Sequence, residues 1–541
     1  MKLKYNVNQL LGFSLCLLLG ITLSLNLGAC SSKGTVKDPS VLSLNIGAEP
    51  SFINPILSTD TASSAVESLV FNGLMKVNSK LEMVPDLAES YTVQNNGKRY
   101  LFKLKQNVKW HDGEAFTADD VIYTFNTLMD PKTNTVRRSS YFIQGKPITF
   151  KKIDTYTVQV DLPKVFAPFL IHMGMGILPQ HILNTQDINK SPFNRKPIGT
   201  GPYRFVDWKP SQYVKLTRND AYFWKRPKSK HILMRIIPDK NTSLVSLKKG
   251  EIDLEQNLQS KDFPKLKSDQ NLNTYRYYSM DYTYLGFNLK KKPFSNPKFR
   301  HAVSYAINRE ALVQSVLKGY GYPAYLPASP VQWQYPTLSK ISTYAYNPEK
   351  SKALLKELGY TLNPQTGYFE TKNTPLSFTI ITNKGNKYRE KTAQILQQYL
   401  KQAGIKVTIQ LMEWSAFLKV IQSNQVSPSF DAFISGWFLG LDPDGYSIWH
   451  SSQAKKGFNY IGYNNSKVDK LLVQGRETLN QEKRKSIYAD IYSEITKDSP
   501  YYFLYHREIL AASQTYVQGL IEQPGPLGII KDIEDVYIQS E

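Results

Sequence analysis

Leu42, Leu44 and Ile46 alternate with Ser43 and Asn45, a period of two that predicts a strand with one buried face over residues 41–46. Residues 47–55 then read as a loop. A further strand is predicted over residues 100–104, after the turn signal Asn95-Asn96-Gly97. Helical spacing starts at Thr117, a capping residue with Asp120 three positions on, and puts Val121, Phe125 and Leu128 on one face. Asn296 and Pro297 open another helix, along which Phe299, Ala302, Val303, Ala306 and Ile307 recur at i, i+3, i+4, i+7 and i+8. Residues 376–381 are strand-like, residues 388–403 helical up to Gly404, and Ile405, Val407, Ile409 and Leu411 alternate again. Strand, helix and strand at this spacing predict a parallel pair with a right-handed crossover, hence an α/β body. Ile487, Ile491 and Ile495 mark one more amphipathic helix.

The N-terminus has a different pattern. Lys2 and Lys4 precede an apolar run over residues 10–27, which ends in Leu27-Gly28-Ala29-Cys30 and a polar stretch. Basic, apolar, small and then polar is the order of a secretory signal. The cysteine directly after two small residues resembles a lipobox, with cleavage before Cys30 and acylation of its thiol. The run is nearly long enough to be a simple transmembrane anchor, but a small-small-Cys ending has no purpose there. The expectation is a signal over residues 1–29, a tether over 30–40, and an extracytoplasmic protein held to a membrane by lipid on Cys30, in a periplasm or on an outer cell surface. No second apolar run of spanning length follows.

The chain has 541 residues, 41% of them hydrophobic and 21% charged, which predicts a soluble body of two or three lobes. Cys16 would leave with the signal, so the mature chain would have no disulfide and no thiol nucleophile. The net charge of +22 suits an anionic membrane surface or acidic solutes, although groups such as Lys290-Lys291-Lys292 read first as solvated surface. Nucleic acid is not expected, since no recognition module accompanies the charge. The 35 tyrosines suit half-wet cavities as well as cores. Seven histidines show no metal-ligand spacing, and neither a G-x-S-x-G elbow nor a P-loop occurs. No catalytic residue, metal or cofactor is therefore expected, and binding is favoured over catalysis.

Five ordered segments carry a family resemblance. They are residues 81–91, centred on Pro85-Asp86-Leu87-Ala88; residues 108–121, with Trp110-His111-Asp112-Gly113; Gly199-Thr200-Gly201-Pro202-Tyr203; Phe287-Asn288 followed by Pro293-Phe294, Phe299-Arg300-His301-Ala302 and Ala306-Ile307-Asn308-Arg309; and Gly436-Trp437 followed by Asp442-Pro443-Asp444. Together they resemble the solute-binding proteins of dipeptide, oligopeptide and nickel ABC importers, solute-binding protein family 5. The resemblance implies an α/β, two-lobed, type II periplasmic-binding-protein fold with mixed sheets, a hinge and an extra inserted subdomain. Residues 41–283 plus 508–541 would form lobe I, with the insertion at about 60–190, and residues 284–507 lobe II. The solute, a di- or oligopeptide, would be captured between the lobes and delivered to an ABC permease and its ATPase by a monomeric binding protein.

In peptide-binding relatives the ligand backbone pairs with the protein near the Gly-Trp segment, as an added strand. That match nominates Ser435, Gly436, Trp437 and Phe438 on lobe II and Ala48, Glu49, Pro50 and Ser51 on lobe I. Trp437 can equally be a core residue beside the hinge, and residues 108–121 read as scaffold. Relatives carry an Asp soon after Gly-Trp that pairs with the peptide α-ammonium; here Phe438, Leu439, Gly440 and Leu441 follow instead. Either Asp442 or Asp444 takes that role, or the two shape a turn and the ligand is not held by its amine. The departure keeps a metal chelate, an opine-like compound or a sugar open as the solute; an envelope chaperone is a further alternative.

Overall fold

The computed structural model describes residues 38–424, 429–455, 457–522, 525 and 528–539. The predicted signal, Cys30 and most of the tether lie outside the described residues. Strands used below are β1 (Val41–Asn45), β2 (Ala88–Gln94), β3 (Arg99–Leu104), β4 (Thr149–Asp154), β5 (Thr157–Asp161), β6 (Tyr203–Lys209), β7 (Tyr213–Arg218), β8 (His231–Arg235), β9 (Leu254–Glu255), β10 (Leu272–Tyr278), β11 (Asp281–Phe287), β12 (Ser377–Asn383), β13 (Lys406–Met412), β14 (Ala432–Phe438) and β15 (Tyr501–Gln514). The helices are α1 (Thr61–Val70), α2 (Ala118–Met129), α3 (Pro297–Tyr305), α4 (Lys387–Gln402), α5 (Ser466–Glu477) and α6 (Gln481–Asp498).

The main sheet is mixed and runs β6-β7-β8-β1-β9-β15-β11-β14-β12-β13, with β10 also pairing with β15. β1 lies parallel to β8, with Leu42 opposite Ile232 and Leu44 opposite Met234. All four are buried, as the alternation in β1 requires. β15 is the unifying element. Its first residues pair antiparallel with β11, and residues 508–514 pair with β10. A separate sheet, β2-β3-β5-β4, packs against α2.

The buried hydrophobic residues group in the same way. One large core draws on residues 42–277 and 511–538, and two adjoining cores draw on residues 282–505. β11 and β15 carry the chain between them.

The local expectations meet the structure closely. Thr117 Oγ1 accepts from Asp119 N at 3.3 Å while Asp120 Oδ2 accepts from Thr117 N at 2.9 Å, closing the box that starts α2. Asn296 caps α3, with Lys298 N donating to its Oδ1 at 2.9 Å. α3 stops at Tyr305, however, so Ala306 and Ile307 follow the helix rather than extend it. The chain turns there because Asn308 caps a new helix, Arg309–Leu317. β12 and β13 are the predicted parallel pair, crossed by α4, and Gly404 takes the left-handed conformation (φ +82°) just past the helix end. Leu411 is 44% exposed despite its place in the alternation, because β13 is the outermost strand of the sheet. Among the described residues no helix is long and apolar enough to cross a membrane.

Candidate functional site

β14 ends in Ser435, Gly436, Trp437 and Phe438. One edge pairs with β11, Gly436 opposite Thr283, Trp437 opposite Tyr282 and Phe438 opposite Asp281. On the other edge the ladder to β12 covers only Ala432 and Phe433. Beyond it, Thr382 Oγ1 donates to Ile434 O at 3.0 Å, and among the described residues no strand covers 435–438 on that side. An uncovered strand edge offers main-chain donors and acceptors to an incoming chain.

The side chains at this edge differ in role. Ser435 is buried, and Phe438 is 75% exposed. Trp437 is half-buried, its ring 5.6 Å from Phe458 and 6.4 Å from Tyr460. A Cβ on Gly436 would lie 3.0 Å from Tyr282 O and 3.2 Å from a guanidinium nitrogen of Arg389, so glycine leaves room for that arginine.

Trp437 and Phe438 line two pockets. One, of about 260 Å³, also takes in Asp281, Tyr388, Arg389, Gly436 and Arg507. The other, of about 240 Å³, includes Gln332, Asp442, Asp444 and Phe458. A cleft of about 740 Å³ is lined by β1 and α1 of the first core, by Lys76, Asp86 and residues 530–534, and by Leu441 from the loop after β14. That loop therefore brings the second core to the cleft of the first.

Asp442 is partly buried and accepts two hydrogen bonds of 2.8 Å from the Arg484 guanidinium. Burial pushes its pKa up, against the pull of Arg484. Asp444 accepts from Arg476 Nε at 2.8 Å. Each carboxylate also holds the loop locally: Asp444 N donates to Asp442 Oδ1 at 3.0 Å, and Tyr446 N to Asp444 Oδ1 at 3.1 Å. Both charges are matched within the protein, so a ligand ammonium would have to displace an arginine.

Arg389 is in the opposite condition. Nη1 donates to Asn383 Oδ1 at 2.8 Å, and among the described residues it has no carboxylate partner. Burial holds its pKa below the usual guanidinium value. Arg507 is paired with Asp281, its Nε 2.9 Å from Oδ2. The pocket beside Gly436 thus holds two guanidinium groups against one carboxylate.

Ala48, Glu49, Pro50 and Ser51 sit beside the large cleft, whose lining on this stretch is Leu44, Asn45 and Ile46. Glu49 is occupied, accepting from Trp208 Nε1 at 2.8 Å and Ser211 N at 2.6 Å. Ser51 N donates to Ser63 Oγ at 3.1 Å, at the start of α1. Arg389, Asp281, Arg507 and Lys76 were not nominated by sequence. One signal pointed at Arg389: it follows the carboxyl end of a predicted parallel strand at the start of a crossover helix, where α/β sheets bind ligands. Among the described residues no cluster of His, Cys, Asp or Glu could hold a metal ion.

Comparison with known proteins agrees with this architecture. The family model for bacterial extracellular solute-binding proteins, family 5 (Middle), matches residues 82–459. The oligopeptide-binding protein AppA of Bacillus subtilis (strain 168) is 36% identical over 535 residues, covering 96% of this chain and 97% of that protein. Its structure in complex with a nonapeptide superposes with a TM-score of 0.76 at 34% identity, over 92% of this chain and 99% of that one. NikZ from Campylobacter jejuni, crystallised with Ni(L-His), gives a TM-score of 0.78 at 29% identity, over 93% of this chain and all of that one.

Proposed function

This chain belongs to the bacterial extracellular solute-binding proteins of family 5, and we propose that it captures oligopeptides between two lobes and hands them to an ABC importer. The observation that carries this reading is the uncovered edge of β14 at residues 435–438, whose following loop reaches a cleft of about 740 Å³ through Leu441. An extended peptide added to that edge is held through its main chain, which leaves its side chains free to vary. A cleft of this size, with two side pockets, falls in the upper part of the range of about 300–1,000 Å³ for small-ligand sites. The similarity to AppA, whose structure holds a nonapeptide, supports a ligand longer than a dipeptide.

Residues 41–283 with 508–541, and residues 284–507, are the two lobes of this reading, with the insertion at about 60–190 in the first. Trp437 and Phe438 supply the aromatic wall, and Gly436 admits the ligand backbone. Arg389 receives a ligand carboxylate, from the C-terminus or an acidic side chain. Asp442 and Asp444, each matched by an arginine, leave the peptide amine without an anchor. Lipid on Cys30 holds the protein at the membrane beside its permease.

Calorimetry with a hexapeptide in free, N-acetylated and C-amidated forms tests this. Binding is expected to survive N-acetylation within about twofold, and Arg389→Met to weaken the free-carboxylate form about tenfold, the range of one charge-assisted contact. If no peptide binds, and native mass spectrometry finds none carried through purification, peptide capture is wrong. The excess of guanidinium beside Gly436 also suits an anionic metal chelate, and metal analysis of the purified protein separates that reading.

A further inference from the structure

Away from the crossing strands, the two cores touch at the end of α5. The last carbonyls of a helix lack partners within it. Here Arg476 O accepts from Ala167 N at 2.7 Å, and Ala167 follows Phe166 of the first core. The Arg476 guanidinium lies 5.4 Å from the Phe166 ring and 4.0 Å from Tyr446. Lys164 forms an ion pair with Glu477. The helix bearing these groups belongs to the second core through Val468 and Leu472.

The same arginine is tied to the ligand wall. Asp444 fixes the guanidinium through Nε at 2.8 Å. Asp444 ends the loop that starts at Phe438 and carries Leu441 into the large cleft. Asp442, bonded to Arg484, pins the middle of that loop to α6. One short segment therefore joins the ligand pockets at one end to the inter-core contact at the other. A neutral loop could line a pocket equally well; the two acids give this one a fixed grip on both helices.

We propose that Arg476, oriented by Asp444, is a closure latch: its guanidinium grips Phe166, beside the main-chain bond from Ala167, when the lobes close, and so slows release of the peptide. This rests on the reading of peptide capture between two lobes. Arg476 is a positioning residue, since it acts beyond the ligand, whereas Asp444 also borders the smaller pocket. A contact made only in the closed form shifts the balance toward it by its own differential stability, and its loss falls on dissociation rather than encounter.

The test follows peptide kinetics by stopped flow and lobe separation by energy transfer between labels at Val136→Cys and Leu411→Cys, both exposed. Arg476→Ala is expected to speed dissociation about tenfold, leave association within twofold, and widen the liganded lobe separation, and Asp444→Asn to speed dissociation and widen the separation in the same sense. The melting temperature of the unliganded protein should fall by a similar small amount in both, since each loses the Asp444–Arg476 bond within the second core. Lys164→Ala, which leaves the Asp444 bond intact, should give a smaller change of the same kind. Unchanged dissociation in Arg476→Ala, or a loss confined to association, overturns the latch. A wild-type protein that binds hexapeptide without closing overturns the latch alone; one that binds no peptide overturns the capture reading and the latch with it.

Discussion

Glu67 shows how one side chain sets a pH dependence. It is 8% exposed on α1, and Ser58 Oγ donates to its Oε2 at 3.0 Å. Burial pushes its pKa up to about 7, against the pull of Ser58, of the nearby Arg137 guanidinium and of the Asn54 backbone, and with Asp60 adding to the rise. Unfolded, the carboxyl titrates near 4.5. Between those values the folded chain keeps a proton the unfolded chain has lost. The stabilisation is fully present below pH 4.5 and is lost as pH rises through 7, about 3 kcal/mol in all. His111 and His172, lowered by burial to about 4, oppose it: their stabilisation is present above pH 6.5 and is lost as pH falls toward 4. Glu67→Gln should therefore gain stability relative to wild type at pH 8 compared with pH 5, in urea denaturation at the two values. At this scale the residue types in the loop were legible and their partners were not. Asp442 and Asp444 stood out as acids near Gly436-Trp437, but Arg476 and Arg484 lie on helices 32 and 42 residues further on. Charge compensation across such separations has no periodic signature.

At the scale of elements, legibility followed local chemistry. The box at Thr117 and Asp120, the Asn296 cap and the Gly404 stop each rest on hydrogen bonds within a few residues, and each stands where the sequence placed it. The end of α3 was missed because Ala306 and Ile307 keep the apolar rhythm, while Asn308, a cap for the next helix, decides the break. Asp120 does more than cap. Its carboxylate also accepts from Trp110 Nε1 at 3.3 Å and from Gln180 N at 2.9 Å, tying the Trp110-His111-Asp112-Gly113 segment to the helix. Thr117→Ala should cost about 1 kcal/mol, the usual loss of a cap. Asp120→Ala strands several buried donors and should cost about 3 kcal/mol. Neither should alter peptide affinity by more than twofold, since residues 108–121 line neither the cleft nor the two pockets at Trp437; denaturation and calorimetry on the same preparations check both.

For the whole molecule, the order of five segments was enough to indicate the fold, because each sits at a structural corner: Gly199 and Gly201 leave no space for a Cβ beside α1, for example. The joining of the cores was only partly legible. The lobe limits near residues 284 and 507 were legible from the resemblance, but nothing in the sequence marks β15 as fourteen residues running on into the first core. Its interior, with His506, Arg507 and Glu508, breaks the apolar pattern because those side chains bond locally, His506 Nδ1 to Asp281 O at 2.7 Å and Glu508 to Arg276 at 2.9 Å. On the scale of the cell, Cys30→Ser should release the protein from membranes or leave its leader uncut, seen by fractionation and immunoblotting; unchanged processing and anchoring would remove the lipid anchor.

Strand β15 also sets a schedule. β10 finds its strand partner, and β9 its second one after β1, only in residues 508–514, more than two hundred positions further along the chain. β11, β12, β13 and β14 have all been made by then. A growing chain accordingly holds β10 unpaired, and β9 paired on one side alone, until the last residues arrive. Pairing over such separations is slow. Pulsed hydrogen exchange during refolding should find β11–β14 protected before β10, so the last residues of the polypeptide are what close the sheet around its first half.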